Sequence, residues 1–118
     1  MEWEIEFTDE FGEWWDGLTA VEQDSARDSI RLLMLIGPSL SRPHSDTLKD
    51  SRHRNMKELR VQHEGDPYRV FYAFDPRRAA ILLIGGNKRG DDRFYQRMIP
   101  LADSIYDEHL AQLRKEEK

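Results

Sequence analysis

The chain contains no cysteine. That excludes a disulfide framework, a thiolate metal site and a cysteine nucleophile, and it fits a reducing, cytosolic setting. Long apolar runs are also absent. The longest, Ala79 to Ile84, is far too short to cross a bilayer, and the start, Met1-Glu2-Trp3-Glu4, is acidic where a secretory leader would be basic. A soluble, cytoplasmic protein with no membrane partner is therefore expected. The four histidines, His44, His53, His63 and His109, have no metal-ligand spacing, and there is no HExxH-like pair. A Gly-x-Ser-x-Gly elbow and a Walker loop are missing, and Gly85-Gly86-x-x-x-Gly90 lacks the lysine-serine pair and the dinucleotide pattern. No metal and no cofactor are expected. With 118 residues, no internal repeat and no linker, residues 1–118 read as a single domain with one core.

Positive charge is in the minority, with 18 Lys and Arg against 23 Asp and Glu, but it is unevenly distributed. Residues 1–41 carry a net charge of -8, residues 42–97 carry +5, and residues 98–118 carry -2. A basic middle in an acidic chain suits a polyanion partner. It equally suits a solvated charged surface, and charge alone leaves both readings open.

Trp3, Ile5 and Phe7 alternate with Glu2, Glu4 and Glu6, the period of a strand with one buried face. Phe11, Trp14, Trp15 and Leu18 gather on one side of a short helix. Thr19-Ala20-Val21-Glu22 is a capping box that opens a second helix, whose apolar positions Ala26, Ile30, Leu33 and Met34 run to the stop at Gly37-Pro38. Pro38 to about Asn55 reads as loop. Lys57 to His63, Tyr68 to Phe74 and Ala79 to Ile84 follow as three strands, separated by the turns Glu64-Gly65-Asp66-Pro67 and Asp75-Pro76-Arg77-Arg78. The last strand is apolar throughout and should be buried on both faces. Phe94, Met98, Leu101, Ala102, Ile105 and Leu113 mark a final helix, with a kink or fresh start at Pro100. The order β-α-α-β-β-β-α predicts an α+β fold: an antiparallel meander packed against a helical hairpin and a C-terminal helix.

The chemistry on offer is cationic. Lys57 and Arg60 lie on opposite faces of one strand, and Arg60 takes the open face if Leu59 and Val61 point inward. Arg69 shares a face with Phe71 and Ala73. If the strands align, Arg60 and Arg69 converge beside Lys88, Arg89 and Arg93, with Tyr95 close by. Such a cluster suits RNA cleavage without a metal, because well-placed donors stabilise charge growing on a scissile phosphate by roughly 3 to 4 kcal/mol each. Tyr95 would orient or help activate a 2'-hydroxyl, or it would stack on a base, as Phe94 would. His53 and Arg54, in the basic loop, and Lys57 and Arg93 are further RNA-binding candidates. Taken singly, each cation reads as solvated or paired with Glu58 or Asp66, and only the joint placement argues for a site.

Four segments together resemble the RelE/ParE toxin superfamily, in particular its HigB-like, phage-derived branch of type II toxin-antitoxin systems. They are Lys57-Glu58-Leu59-Arg60, Pro67-Tyr68-Arg69-Val70-Phe71-Tyr72, Phe74-Asp75-Pro76-Arg77-Arg78 and Gly85-Gly86-Asn87-Lys88 through Phe94-Tyr95. The resemblance spans nearly the whole chain. It implies a RelE-like fold and a toxin that enters the ribosomal decoding site and cleaves mRNA, leaving a 2',3'-cyclic phosphate without metal. It also implies that Lys88 and Arg89 stabilise the phosphate, that Tyr95 matches a C-terminal tyrosine, and that Arg60 and Arg69 are strand cations of the branch. The expected partners are a cognate helix-turn-helix antitoxin, the ribosome and mRNA, with the acidic amino-terminal block facing away from RNA or attracting a basic antitoxin. A ParE-like DNA gyrase inhibitor and a non-catalytic antitoxin-binding protein are the alternatives.

Overall fold

A computed structural model of the chain describes residues 2–117. Its elements are β1 (Ile5–Phe7), α1 (Asp9–Asp16), α2 (Ala20–Ile36), β2 (Ser45–Thr47), β3 (Lys57–His63), β4 (Asp66–Phe74), β5 (Ala80–Asn87) and α3 (Phe94–Glu116), with a short 3-10 turn at Gly37–Ser39. One five-stranded sheet has the order β1-β5-β4-β3-β2. The antiparallel meander of β3, β4 and β5 is present as expected, while β1 closes one edge by pairing parallel to β5.

The helical hairpin forms for the reason its sequence suggested. The Glu22 backbone N–H donates to Thr19 Oγ1 and the Thr19 N–H donates to Glu22 Oε1, at 3.2 and 2.7 Å, so two otherwise unpaired donors are satisfied at the start of α2. Thr8 caps α1 by accepting from the Phe11 N–H at 3.1 Å, and its hydroxyl donates to the Leu83 carbonyl, 2.6 Å away, which ties the helix to β5.

Both faces of the sheet are covered. Phe11, Ala26 and Leu33 from the hairpin pack on Leu59, Val61, Val70, Tyr72 and Leu82. On the other face Phe94, Met98, Ala102 and Ile105 from α3 pack on Phe71, Ala73, Ile81 and Leu83. Consecutive residues of β5 thus enter opposite cores, and burying each large apolar side chain contributes roughly 1.5 to 3 kcal/mol. Where β5 leaves the core, two glycines admit aromatic rings from both sides. A Cβ on Gly85 would lie 2.5 Å from the Trp14 ring, and one on Gly86 would lie 2.9 Å from Phe94.

Four expectations are corrected. The segment read as loop contains β2, which pairs with β3 through Ser45↔Leu59 to Thr47↔Lys57. Ser45-Asp46-Thr47 has no apolar alternation to betray it, and is held instead by the ladder and by the buried Ser45 hydroxyl against Tyr72 Oη at 2.6 Å. The helix does not break at Pro100, since α3 is continuous from Phe94 to Glu116. Pro100 lies on the exposed side of the helix, where water can satisfy the carbonyl that loses its partner. The β3–β4 turn is tighter than expected, with Glu64 and Gly65 at φ of 49° and 84° and Asp66-Pro67 already in β4. Phe7, expected to be buried with Ile5, is 68% exposed.

Candidate active site

The register of β3 and β4 assembles the polar centre. Arg60 lies directly opposite Arg69, and Glu58 lies opposite Phe71. Since side chains alternate along a strand, Glu58, Arg60 and Arg69 all share the face that carries Phe71 and is covered by α3. Two guanidiniums in directly opposed positions repel. Glu58 offsets this: its Oε2 is 3.3 Å from Arg60 Nε and its Oε1 is 3.4 Å from Arg69 Nε. The carboxylate is almost fully buried, Arg69 nearly so, and Arg60 reaches partway into solvent. Arg69 Nη1 donates to its neighbour's carbonyl, Tyr68 O, at 3.0 Å, while its buried Nε has no hydrogen-bond partner.

Tyr95, from the first turn of α3, closes the group from above by donating to Glu58 Oε1 at 2.6 Å. Burial and this bond to a carboxylate raise the phenol's pKa, with Arg69 pulling the other way. The hydroxyl is therefore protonated at neutral pH and acts as a donor. Lys88 Nζ sits 5.2 Å from the centre of the Tyr95 ring, a cation-π distance that holds the ammonium against the phenol that joins the cluster. On the outer side Arg60 Nη2 is 3.5 Å from Asp46 Oδ2, which Arg42 holds at 2.7 Å. The arrangement offers Arg60 and Lys88 at the surface, backed by Arg69, to an anion.

Among the residues expected at the site, Arg60, Arg69, Lys88 and Tyr95 come together. Arg89 does not join them: its Nη1 pairs with Asp66 Oδ1 at 2.7 Å, at the end of the β3–β4 hairpin. Lys57 is on the opposite face, donating to the carbonyls of Pro38 and Leu40 at 3.3 and 3.5 Å. Arg93 and Arg54 are exposed. His53 Nε2 is 2.8 Å from Asp107 Oδ1, with its ring edge on Tyr106, and the Asp107 pKa is held down by Arg52 first and by His53 next. That contact pins the β2–β3 loop to α3, away from the cations.

Glu58 is the residue the sequence reading missed, having been counted only as a counter-charge. The signal was present: two residues from Arg60 on an alternating strand, it had to share Arg60's face.

With the geometry in place, comparison with known proteins defines the class. The chain matches, over residues 13–107, the model of the phage-derived Gp49-like protein family (DUF891). It belongs to that family. It is 43% identical over 101 residues to a putative toxin HigB2 of Mycobacterium tuberculosis, covering 84% of this chain and 50% of that protein. It is likewise 43% identical over 99 residues to a putative toxin HigB3 of the same organism, covering 83% and 85%. The chain thus spans about half the length of HigB2 and most of HigB3. Among solved structures it is similar to isolated E. coli RelE toxin (TM-score 0.58, 10% identity, 81% of this chain and 95% of that one) and to a mutant of that toxin in the free state (TM-score 0.57, 10% identity, 83% and 96%). The fold is RelE-like, with β2 added to the predicted order.

Proposed function

We propose that this chain is the toxin of a type II toxin-antitoxin system, a cytoplasmic endoribonuclease that cuts mRNA on the ribosome by metal-free attack of a 2'-hydroxyl. The observation that carries the reading is the opposed pair Arg60 and Arg69, held by Glu58 beneath Lys88 and Tyr95. In the proposed reaction the 2'-hydroxyl loses its proton to water, its oxygen bonds to phosphorus, and the bond from phosphorus to the adjacent 5'-oxygen breaks, that oxygen leaving with a proton from water to give a 2',3'-cyclic phosphate and a 5'-hydroxyl. Negative charge grows on the non-bridging oxygens, where Arg60 and Lys88 meet it and Arg69 adds field from below. Tyr95, whose single O–H is given to Glu58, orients the 2'-hydroxyl by accepting from it at the phenol oxygen, and Glu58 positions the guanidiniums and the phenol.

The antitoxin reading is supported on the other side of the molecule. Ile5, Phe7, Phe11, Trp15, Ile30 and Met34 line an open groove of about 500 Å³ between β1 and the helical hairpin. Residues 1–41, which build this side, carry the net charge of -8. An amphipathic, basic segment of an antitoxin with a helix-turn-helix domain complements both properties.

The test is expression with mapping of mRNA ends. Growth arrest with cuts in translated mRNA, relieved by a co-expressed antitoxin and lost in Arg60→Ala, is expected. Arrest with intact mRNA and DNA-damage signalling would replace this reading with gyrase inhibition, and absence of arrest would leave an antitoxin-binding protein.

A further inference from the structure

Tyr95 also forms one wall of a second cavity, of about 190 Å³, completed by Asp50, Gln96, Ile99 and Pro100. Asp50 comes from the β2–β3 loop and the others from the first two turns of α3. The lining differs in kind from the neighbouring cluster: one carboxylate, one neutral amide, two apolar side chains and an aromatic ring, with no cation. A phosphate entering here would meet a like charge. Five other acids of the basic middle segment are paired with arginines, Asp46 with Arg42, Glu58 with Arg60, Asp66 with Arg89, Asp75 with Arg77 and Asp91 with Arg97. Asp50, like Asp92, is exposed and has no ion pair among the described residues, and of the two only Asp50 lines the cavity. An unpaired carboxylate beside a surface that handles a polyanion raises the cost of binding unless the ligand donates to it.

We propose that this cavity is a nucleobase subsite and that it favours guanine, an inference that rests on the ribonuclease reading. The cavity and the cation cluster share Tyr95, and with Lys88 lying against the Tyr95 ring, a nucleotide whose phosphate is held there would have this wall beside it for its base. Ile99 and Pro100 offer an apolar surface to the base, as sites that read unstacked bases do. Guanine alone presents two adjacent donors, N1–H and the N2 amino group, which one carboxylate accepts together. Adenine and cytosine set a ring acceptor beside their amino group, and it would face Asp50 with like polarity. Gln96, with both donor and acceptor, is suited to guanine O6.

The experiment programs ribosomes with mRNAs whose decoding-site codon is randomised, adds the full chain or its Asp50→Asn and Gln96→Ala variants, and maps the cut ends. Wild-type cutting is expected to favour guanine at one codon position. Asp50→Asn is expected to lower the ratio of guanine-containing to guanine-free codons cut there by roughly ten-fold, the scale of one lost bidentate contact, and Gln96→Ala to lower it less. Both side chains are exposed, and circular dichroism verifies that the variants fold. Cutting without guanine preference, or a preference unchanged in Asp50→Asn, overturns the subsite and leaves RNA cleavage standing. No cutting by the wild type overturns the cleavage reading and this inference with it.

Discussion

The Tyr95 hydroxyl donates a 2.6 Å hydrogen bond to the buried Glu58 carboxylate, joining the first turn of α3 to the middle of the sheet. Both partners are needed for different reasons. Tyr95→Phe removes one hydrogen bond to a buried carboxylate and is expected to cost about 1.5 to 3 kcal/mol of stability. Glu58→Ala leaves nearly buried Arg69 facing Arg60 without a counter-charge, and the loss of one partner from a buried pair costs about 3 to 5 kcal/mol. Urea unfolding compares the two, and equal stability of the variants would show that Glu58 does not hold the guanidiniums apart.

Lys88 and Arg89 are adjacent in sequence but meet different partners. Lys88 lies over the Tyr95 ring, whereas Arg89 is paired with Asp66 at the hairpin end. Lys88→Ala and Arg60→Ala are expected to reduce mRNA cleavage at least 100-fold, in line with loss of a donor to a developing oxyanion. Arg89→Ala should retain activity within a few-fold and, because the pair is exposed, change stability by less than about 1 kcal/mol. Cleavage lost equally in Lys88→Ala and Arg89→Ala would place Arg89 in the site after all.

All four tyrosines titrate above the ordinary phenol range. Tyr68 is pushed up to about 12, mainly by its hydrogen bond to Glu22 and then by burial, and Tyr72, Tyr95 and Tyr106 are raised with burial as the first cause. The fold therefore favours the neutral phenols, and the native state keeps their protons to higher pH than the unfolded chain. Their contribution to stability is complete below about pH 10, where unfolded tyrosines titrate, and is lost as pH rises through the folded values. Spectrophotometric titration is expected to show phenolate appearing above pH 10 together with unfolding. A phenolate signal near pH 9 in the folded protein would contradict the assignment.

The legible parts of this fold were those set by local patterns. Thr19 and Glu22 announced α2, and the unbroken apolar run from Ala79 announced a strand buried on both faces, because caps and alternation act over a few residues. Arg60 and Arg69 were placed by parity, and whether they met depended on the register, which the two-residue turn at Glu64-Gly65 fixes. Arg89 and Lys57 escaped the reading because their partners, Asp66 and the carbonyls of Pro38 and Leu40, are brought near only by tertiary packing. β2 carries no apolar signal, since its pairing rests on backbone bonds and one buried hydroxyl.

Phe7 bears on the partner. It continues the alternation of Trp3 and Ile5, yet it is 68% exposed at the rim of the groove, leaning on Phe11 with ring centres 6.0 Å apart. A large aromatic side chain so exposed adds little to the stability of the isolated chain, so Phe7→Glu should change unfolding free energy by no more than about 0.5 kcal/mol. Against an apolar and basic antitoxin segment the same substitution removes an anchor, and aromatic anchors in an interface commonly carry 2 kcal/mol or more. At least 30-fold weaker antitoxin binding by calorimetry is expected, with mRNA cleavage by the free toxin preserved, since the groove and the Glu58 cluster lie on opposite faces of the sheet. The new carboxylate also separates two sources of affinity. If the partner is basic, part of the loss is offset at low salt, and the offset disappears as salt screens it. Unchanged binding of the antitoxin by Phe7→Glu would move the docking surface elsewhere.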